Sequence, residues 1–203
     1  DRSSAASDVY KRQLSHTLEM TLAAMTWRNG QFFPEGADVE EMDAQRDEWT
    51  YVVFFAALLH DIGKIMADLR IGWICTGMEA PLRWVPMSGP LTAMVQARTG
   101  GEYLVEFTPK SARDYQAHAR LATILLQQVA PATALSFLAR RPQAFEALTQ
   151  YLSGADKGSM LAQLIRRADQ TSTKQALASG SRERFTTSTS VPLIDLCLLY
   201  TSP

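Results

Sequence analysis

Two cysteines, Cys75 and Cys197, are all that these 203 residues carry. That is too few for a disulfide framework or a cysteine-built zinc site, and a reducing, cytoplasmic setting is the expectation that follows. No apolar run approaches the roughly 20 residues that span a bilayer, and no signal peptide is visible, so no membrane partner is expected. Charge of one sign is also missing. The formal net charge is -1, which neither announces nucleic acid nor suits an acidic, disordered chain. Nothing resembles a Walker phosphate-binding loop, so nucleotide-driven helicase work has no support in these residues. What the chain does have is apolar content, 46%, enough for one globular domain with a real core.

The two ends read as foreign. Asp8-Val9-Tyr10-Lys11-Arg12-Gln13 resembles the translation of a sequencing-library adapter, and Cys197-Leu198-Leu199-Tyr200-Thr201-Ser202 resembles the same adapter on the opposite strand. The expectation is a metagenomic fragment in which residues 1–13 and 191–203 are largely adapter-derived, with 14–190 as the native domain.

Between those ends the pattern is mainly helical. From Leu14 to Arg28, one apolar row holds Leu18, Leu22 and Met25, and a second holds His16, Met20, Ala23 and Trp27. Asn29-Gly30 ends this helix, and Phe32 to Gly36 reads as a loop. Asp38 followed by Glu41 suits a capping box for the next helical stretch. The segment from Ala67 to Thr99 is broken by Gly77, Pro81, Pro86, Gly89 and Pro90. It predicts a hairpin of about Asp68–Ile74 against Leu82–Val85, with a further strand at Tyr103–Phe107. This small β insertion should lie across the helices as a flap, its tryptophans packing rather than stacking on bases. Helix signals return at Ser111 with Asp114 in the capping-box position, then His118, Leu121, Leu125 and Val129 facing inward. Pro131 and Pro142 each suit the first turn of a short helix, and Gly154 ends the second. A last helix, about Ser159 to Ala178, carries Leu161, Ile165, Asp169 and Thr173 in one row. Asp169 therefore needs a cation or donors, and Arg166 or Arg167 is the plain choice of partner. After Ser179 the chain turns polar and should fray.

The chemistry concentrates at Ala56-Ala57-Leu58-Leu59-His60-Asp61-Ile62-Gly63-Lys64. An apolar helix ends abruptly in an imidazole, a carboxylate, a glycine and a lysine. Imidazole nitrogen and carboxylate oxygen both suit borderline divalent metals. Neighbours on a helix point about 100° apart, so one ion reaches both only at a helix end or bend, which Gly63 supplies. A bare His-Asp dipeptide also serves as a hydrogen-bonded pair closing a helix, and that reading stays open. Ionisable groups at the end of a buried helix need partners in either case.

His16, His60, Asp61 and Asp169, drawn from three helices, follow the order histidine, His-Asp, aspartate. That order resembles the HD superfamily of metal-dependent phosphohydrolases. Leu14-Ser15-His16-Thr17-Leu18-Glu19, Phe55 to Lys64, Ser88-Gly89-Pro90-Leu91 and Arg166-Arg167-Ala168-Asp169 look more narrowly like the TraI-type HD domain of MobH-class conjugative relaxases, carried on integrative elements and plasmids. His118, following Arg113 and Tyr115, falls where that family carries a histidine. The family's His-rich stretch ahead of the first helix is replaced here by the adapter-like residues.

The resemblance implies an HD-type helical bundle in which His16, His60, Asp61 and Asp169 hold a divalent metal ion (Mn, Mg, Fe or Zn). Asp61, Lys64 and His118 would be the catalytic residues, with Lys64 and His118 binding the phosphate or protonating the leaving oxygen. It implies DNA at a transfer origin as the partner, with other conjugation proteins beside it. Arg113, Arg120, Arg140, Arg141, Arg166 and Arg167 are candidates for a DNA path, although scattered surface arginines are common. Two other readings share the site: a small-molecule HD phosphohydrolase, either a nucleotidase or a cyclic-nucleotide phosphodiesterase, and a non-catalytic DNA-docking module.

Overall fold

A computed structural model describes residues 2–95, 100–108 and 115–186. Its centre is a helix made of too few polar residues to live anywhere else. Helix α1 (Arg2–Arg28) leads through a loop to α2 (Val39–Ala44) and then to this central helix, α3 (Arg46–Leu59). Asp38 caps α2 by accepting the Glu41 amide at 2.8 Å, the half of a capping box that satisfies an orphan N–H. In α3, Trp49, Val52, Val53, Phe55, Ala56, Ala57 and Leu59 are all buried, leaving a narrow solvent stripe through Asp47 and Tyr51. Helix α1, α7 (Ala132–Ala139), α8 (Pro142–Leu152) and α9 (Met160–Thr186) pack around it. Their contributions include Met20, Leu138, Leu148, Leu161 and Ile165, each nearly fully buried. Each such side chain stabilises the fold by about 1.5–3 kcal/mol relative to leaving it exposed.

The start of α3 is fastened to the end of α1 by a buried arginine. Arg28 donates to the carbonyls of Gln31 (3.0 Å) and Arg46 (3.1 Å), and its guanidinium covers the Phe33 ring. Phe33 in turn stacks on Trp49 with centroids 5.1 Å apart. Burial, together with the charge of Arg46, lowers the affinity of Arg28 for its proton.

After α3 the chain makes a turn over residues 60–63, a short helix α4 (Lys64–Asp68), and the predicted insertion. Strands β1 (Leu69–Cys75), β2 (Leu82–Arg83) and β3 (Gly101–Phe107) form an antiparallel sheet in the order β2-β1-β3, with Trp73 opposite both Leu82 and Tyr103. Helix α5 (Leu91–Val95) lies between β2 and β3, and α6 (Tyr115–Val129) follows the sheet. The fold is thus mainly helical with a small three-stranded sheet. Trp73 is buried, and the Trp84 indole donates to the Gly89 carbonyl at 2.9 Å, so both flap tryptophans pack as expected. Among the described residues, no single helix is long and apolar enough to cross a membrane.

Several local expectations are corrected. Leu18 and Leu22 are exposed (55% and 70%), because α1 turns the row of Met20 and Ala24 toward α3 and α9. Val129 is exposed rather than inward, the buried positions of that turn being Leu125, Leu126 and Ala130. The last helix does not fray after Ser179 but continues to Thr186. Ser111, Arg113 and Asp114 lie outside the described residues, as do residues 187–203. Helix α1 includes residues before Leu14, whose side chains are not among those described.

Candidate functional site

The site forms where α3 stops. Helices leave their last carbonyls unpaired, and His60, at the end of α3, turns its Nδ1–H onto one of them, Ala57 O, at 2.8 Å. That hydrogen bond fixes the ring and leaves Nε2 with a lone pair. Nε2 is fully buried and has no hydrogen-bond partner. It approaches Asp61 Oδ2 to 3.3 Å without the alignment of a hydrogen bond. The turn at 60–63 swings Asp61 back over His60, so the pair faces one point although the two residues are adjacent in the chain. Lys64, one turn further on, holds the same Asp61 Oδ2 at 2.6 Å.

The other half comes from α1 and α9, which pack side by side. His16 Nε2 lies 3.1 Å from Asp169 Oδ1. The rings of His16 and His60 are 5.9 Å apart. Ligand atoms of His16, His60 and Asp61 all lie within 4.8 Å of one another; Asp169 falls outside that group and pairs with His16 alone among its members. The arginines expected to neutralise Asp169 are engaged elsewhere. Arg166 donates to the Lys157 carbonyl at 2.9 Å, and Arg167 lies over the Trp27 ring at 4.5 Å.

The charges of the cluster are tightly coupled. Burial works against a charged His60, but the close carboxylate of Asp61, the Ala57 carbonyl and the charge of Asp169 outweigh it and raise the imidazole's affinity for a proton. Burial likewise works against ionised Asp61. His60 and Lys64 overcome it and hold that carboxyl well below the usual range.

A pocket of about 200 Å³ opens beside the cluster, lined by His60 and Asp169 together with Tyr151, Asp156, Lys157 and Arg166. Sequence reading passed over Tyr151. It stands one turn from the buried Leu148 on α8, where a tyrosine reads as one more core aromatic. Burial and the charges of Asp61 and Asp169 push its phenol well above the usual range, so it stays a neutral hydrogen-bond donor. Asp156 is tied up structurally: Ser159 and the Gly158 amide hydrogen-bond it and, against its partial burial, keep it ionised. Among the described residues, none from the sheet lines this pocket. Of the described arginines proposed for a DNA path, Arg166 lines the pocket, and Arg141 pairs with Glu48 at 3.1 Å. His118 lies in α6, but its side chain, like that of Arg120, is outside those described.

The arrangement suits one cation. Two ligand atoms each about 2.0–2.2 Å from an ion, and about 90–110° apart around it, lie roughly 3.0–3.5 Å from one another. Both histidine–aspartate approaches, 3.1 and 3.3 Å, fall in that range. A buried, unpartnered Nε2 is also the donor such an ion requires. In comparisons with known proteins, the family model TraI_2, described as "Putative helicase", matches residues 12–197. No curated protein and no solved structure matches the chain.

Proposed function

This chain belongs to the TraI_2 family, which is related to conjugal-transfer relaxases, and from that premise we propose that it is a metal-dependent phosphodiesterase acting on a DNA strand, the HD-type domain of a MobH-class relaxase. The observation that carries the reading is the convergence of ligand atoms from His16, His60 and Asp61 within 4.8 Å, with Asp169 3.1 Å from His16 Nε2. His16, His60, Asp61 and Asp169 would hold the ion. Once bound, a divalent cation supplies Lewis-acid polarisation of a phosphate oxygen and a more acidic water.

The remaining roles belong to the chain itself. Lys64 rests on Asp61; were Asp61 to hold an ion, the ammonium would be free to bind a phosphate oxygen. Tyr151 offers a neutral hydroxyl at the same pocket, suited to donate to a non-bridging or leaving oxygen. Lys157 and Arg166 give the rim positive charge, where the neighbouring phosphates of a strand would lie. Sites that enclose a small molecule span about 300–1,000 Å³. The pocket here is about 200 Å³ and opens to solvent, so it does not enclose a ligand of that size.

The test is cleavage and binding of single-stranded oligonucleotides across a salt series with Mn²⁺, with Asp61→Ala as control. Salt-sensitive binding that survives the substitution is expected, with cleavage falling more than about 100-fold. Hydrolysis of free nucleotides without oligonucleotide binding would replace this reading with a small-molecule phosphohydrolase. Salt-sensitive binding without cleavage by the unsubstituted protein would leave a DNA-docking module.

A further inference from the structure

His16 and His60 face the same task with different means. His60 sits at a helix end, where an unpaired carbonyl is available to hold Nδ1–H. His16 lies inside α1, where backbone carbonyls are already used by the helix. Its Nδ1 instead meets Ser172 Oγ on α9 at 3.0 Å. Ser172 is 1% exposed, and its hydroxyl donates onward to Glu19 Oε2 at 3.2 Å.

That last bond decides the direction of the first. A hydroxyl has one proton, and a carboxylate can only accept. With the Ser172 proton committed to Glu19, Oγ must accept from His16, so Nδ1 carries a hydrogen and Nε2 is the atom left to face Asp169. The serine's behaviour is also unlike that of hydroxyls elsewhere in these helices. Thr21, Thr26, Thr50 and Thr171 all bond back to the carbonyl four residues earlier, the ordinary mid-helix arrangement. Ser172 reaches across to α1 instead.

We infer that Glu19 and Ser172 are positioning residues that fix the tautomer and aim of His16, presenting Nε2 to the proposed cation. The inference rests on the metal reading above for its purpose, but the tautomer itself is measured without metal. Ligand histidines generally owe their orientation to such an acceptor, and its loss costs about 10–100-fold in metal affinity.

The experiment is two-bond ¹H–¹⁵N correlation spectroscopy of the ¹⁵N-histidine-labelled, metal-free protein, followed by calorimetric titration with Mn²⁺ and with Zn²⁺. In the unsubstituted protein Nδ1 of His16 should carry a hydrogen. Ser172→Ala should shift the ring toward the Nε2–H form that Asp169 accepts and weaken binding of both metals by about 10–100-fold, and Ser172→Thr should restore both. Glu19 is solvent-exposed, so Glu19→Ala tests the same link even if Ser172→Ala fails to fold; it should shift His16 in the same direction by less. An unchanged Nδ1–H pattern and affinities within twofold in Glu19→Ala and Ser172→Ala would overturn the relay. An Nδ1–H pattern lost in those variants, with no metal bound even by the unsubstituted protein, would uphold the tautomer lock and sink the metal reading alone.

Discussion

The helical part and the sheet differ in how they treat similar residues. In α3, Val52 and Val53 are fully buried, whereas in β3 Leu104 and Val105 are 42% and 39% exposed. Helices α1, α3, α8 and α9 enclose one another, so an ionisable group there meets partners from another element: His16 meets Asp169, and His60 meets Asp61 at the end of its own helix. Strand β3, paired on one side only with β1, holds its residues mainly through backbone register. The ionisable cluster lies in the packed helical half, and the sheet follows it through α4.

That contrast is sharpest at single leucines. Leu148→Ala should cost about 2–5 kcal/mol in urea unfolding, because α8 is wedged against α3 and cannot collapse around the void. Leu104→Ala should stay within about 0.5 kcal/mol. Equal losses at the two sites would break the distinction between a packed half and an exposed one.

A substitution inside the sheet gives the intermediate case. A Cβ at Gly101 would collide with the buried Trp73 ring, so Gly101→Ala should cost about 1–3 kcal/mol locally. Hydrogen exchange should then quicken across β1 and β3 while the amides of α3 stay protected. Loss of protection in α3 as well would mean that the two parts unfold together.

The smallest effect concerns pH. Asp61 is held below its ordinary range, so its contribution is complete above about pH 4 and is lost as pH falls through the lowered value. His60 is raised, so its contribution is complete below about pH 6.5 and is lost as pH rises through the raised value. The metal-free protein should therefore melt highest between about pH 4 and 6.5, by a few degrees at most, since Asp61 is partly solvated. Added Mn²⁺ should reverse the alkaline limb, because a cation takes the neutral imidazole. A flat alkaline limb in both conditions would remove the cluster from the stability of the helical part.

The long periodic elements were legible because period and caps agreed. Asp38 caps its helix, Pro142 opens α8, and the apolar run into His60 became the central helix. The sheet could be read from its β-branched runs and its turn glycines. Which face of α1 points inward was not, since the rows of Leu18 and of Met20 are both apolar and only the packing partners choose between them. The four candidate ligands could be named, but their approach through His16–Asp169 could not be distinguished from an Arg166 pair by spacing alone. Tyr151 and Ser172 carried no signal, because a tyrosine beside Leu148 and a serine in a polar helix look ordinary until α1, α8 and α9 are set side by side.

The contact between His16 and Ser172 joins residues 156 positions apart. Most of the helical core forms between nearer neighbours, but this junction exists only when the ninth helix has returned to the first. A chain still on the ribosome, with α9 inside the exit tunnel, would have its His60–Asp61 turn and none of the opposing wall. The cluster would then close only after α9 has left the tunnel.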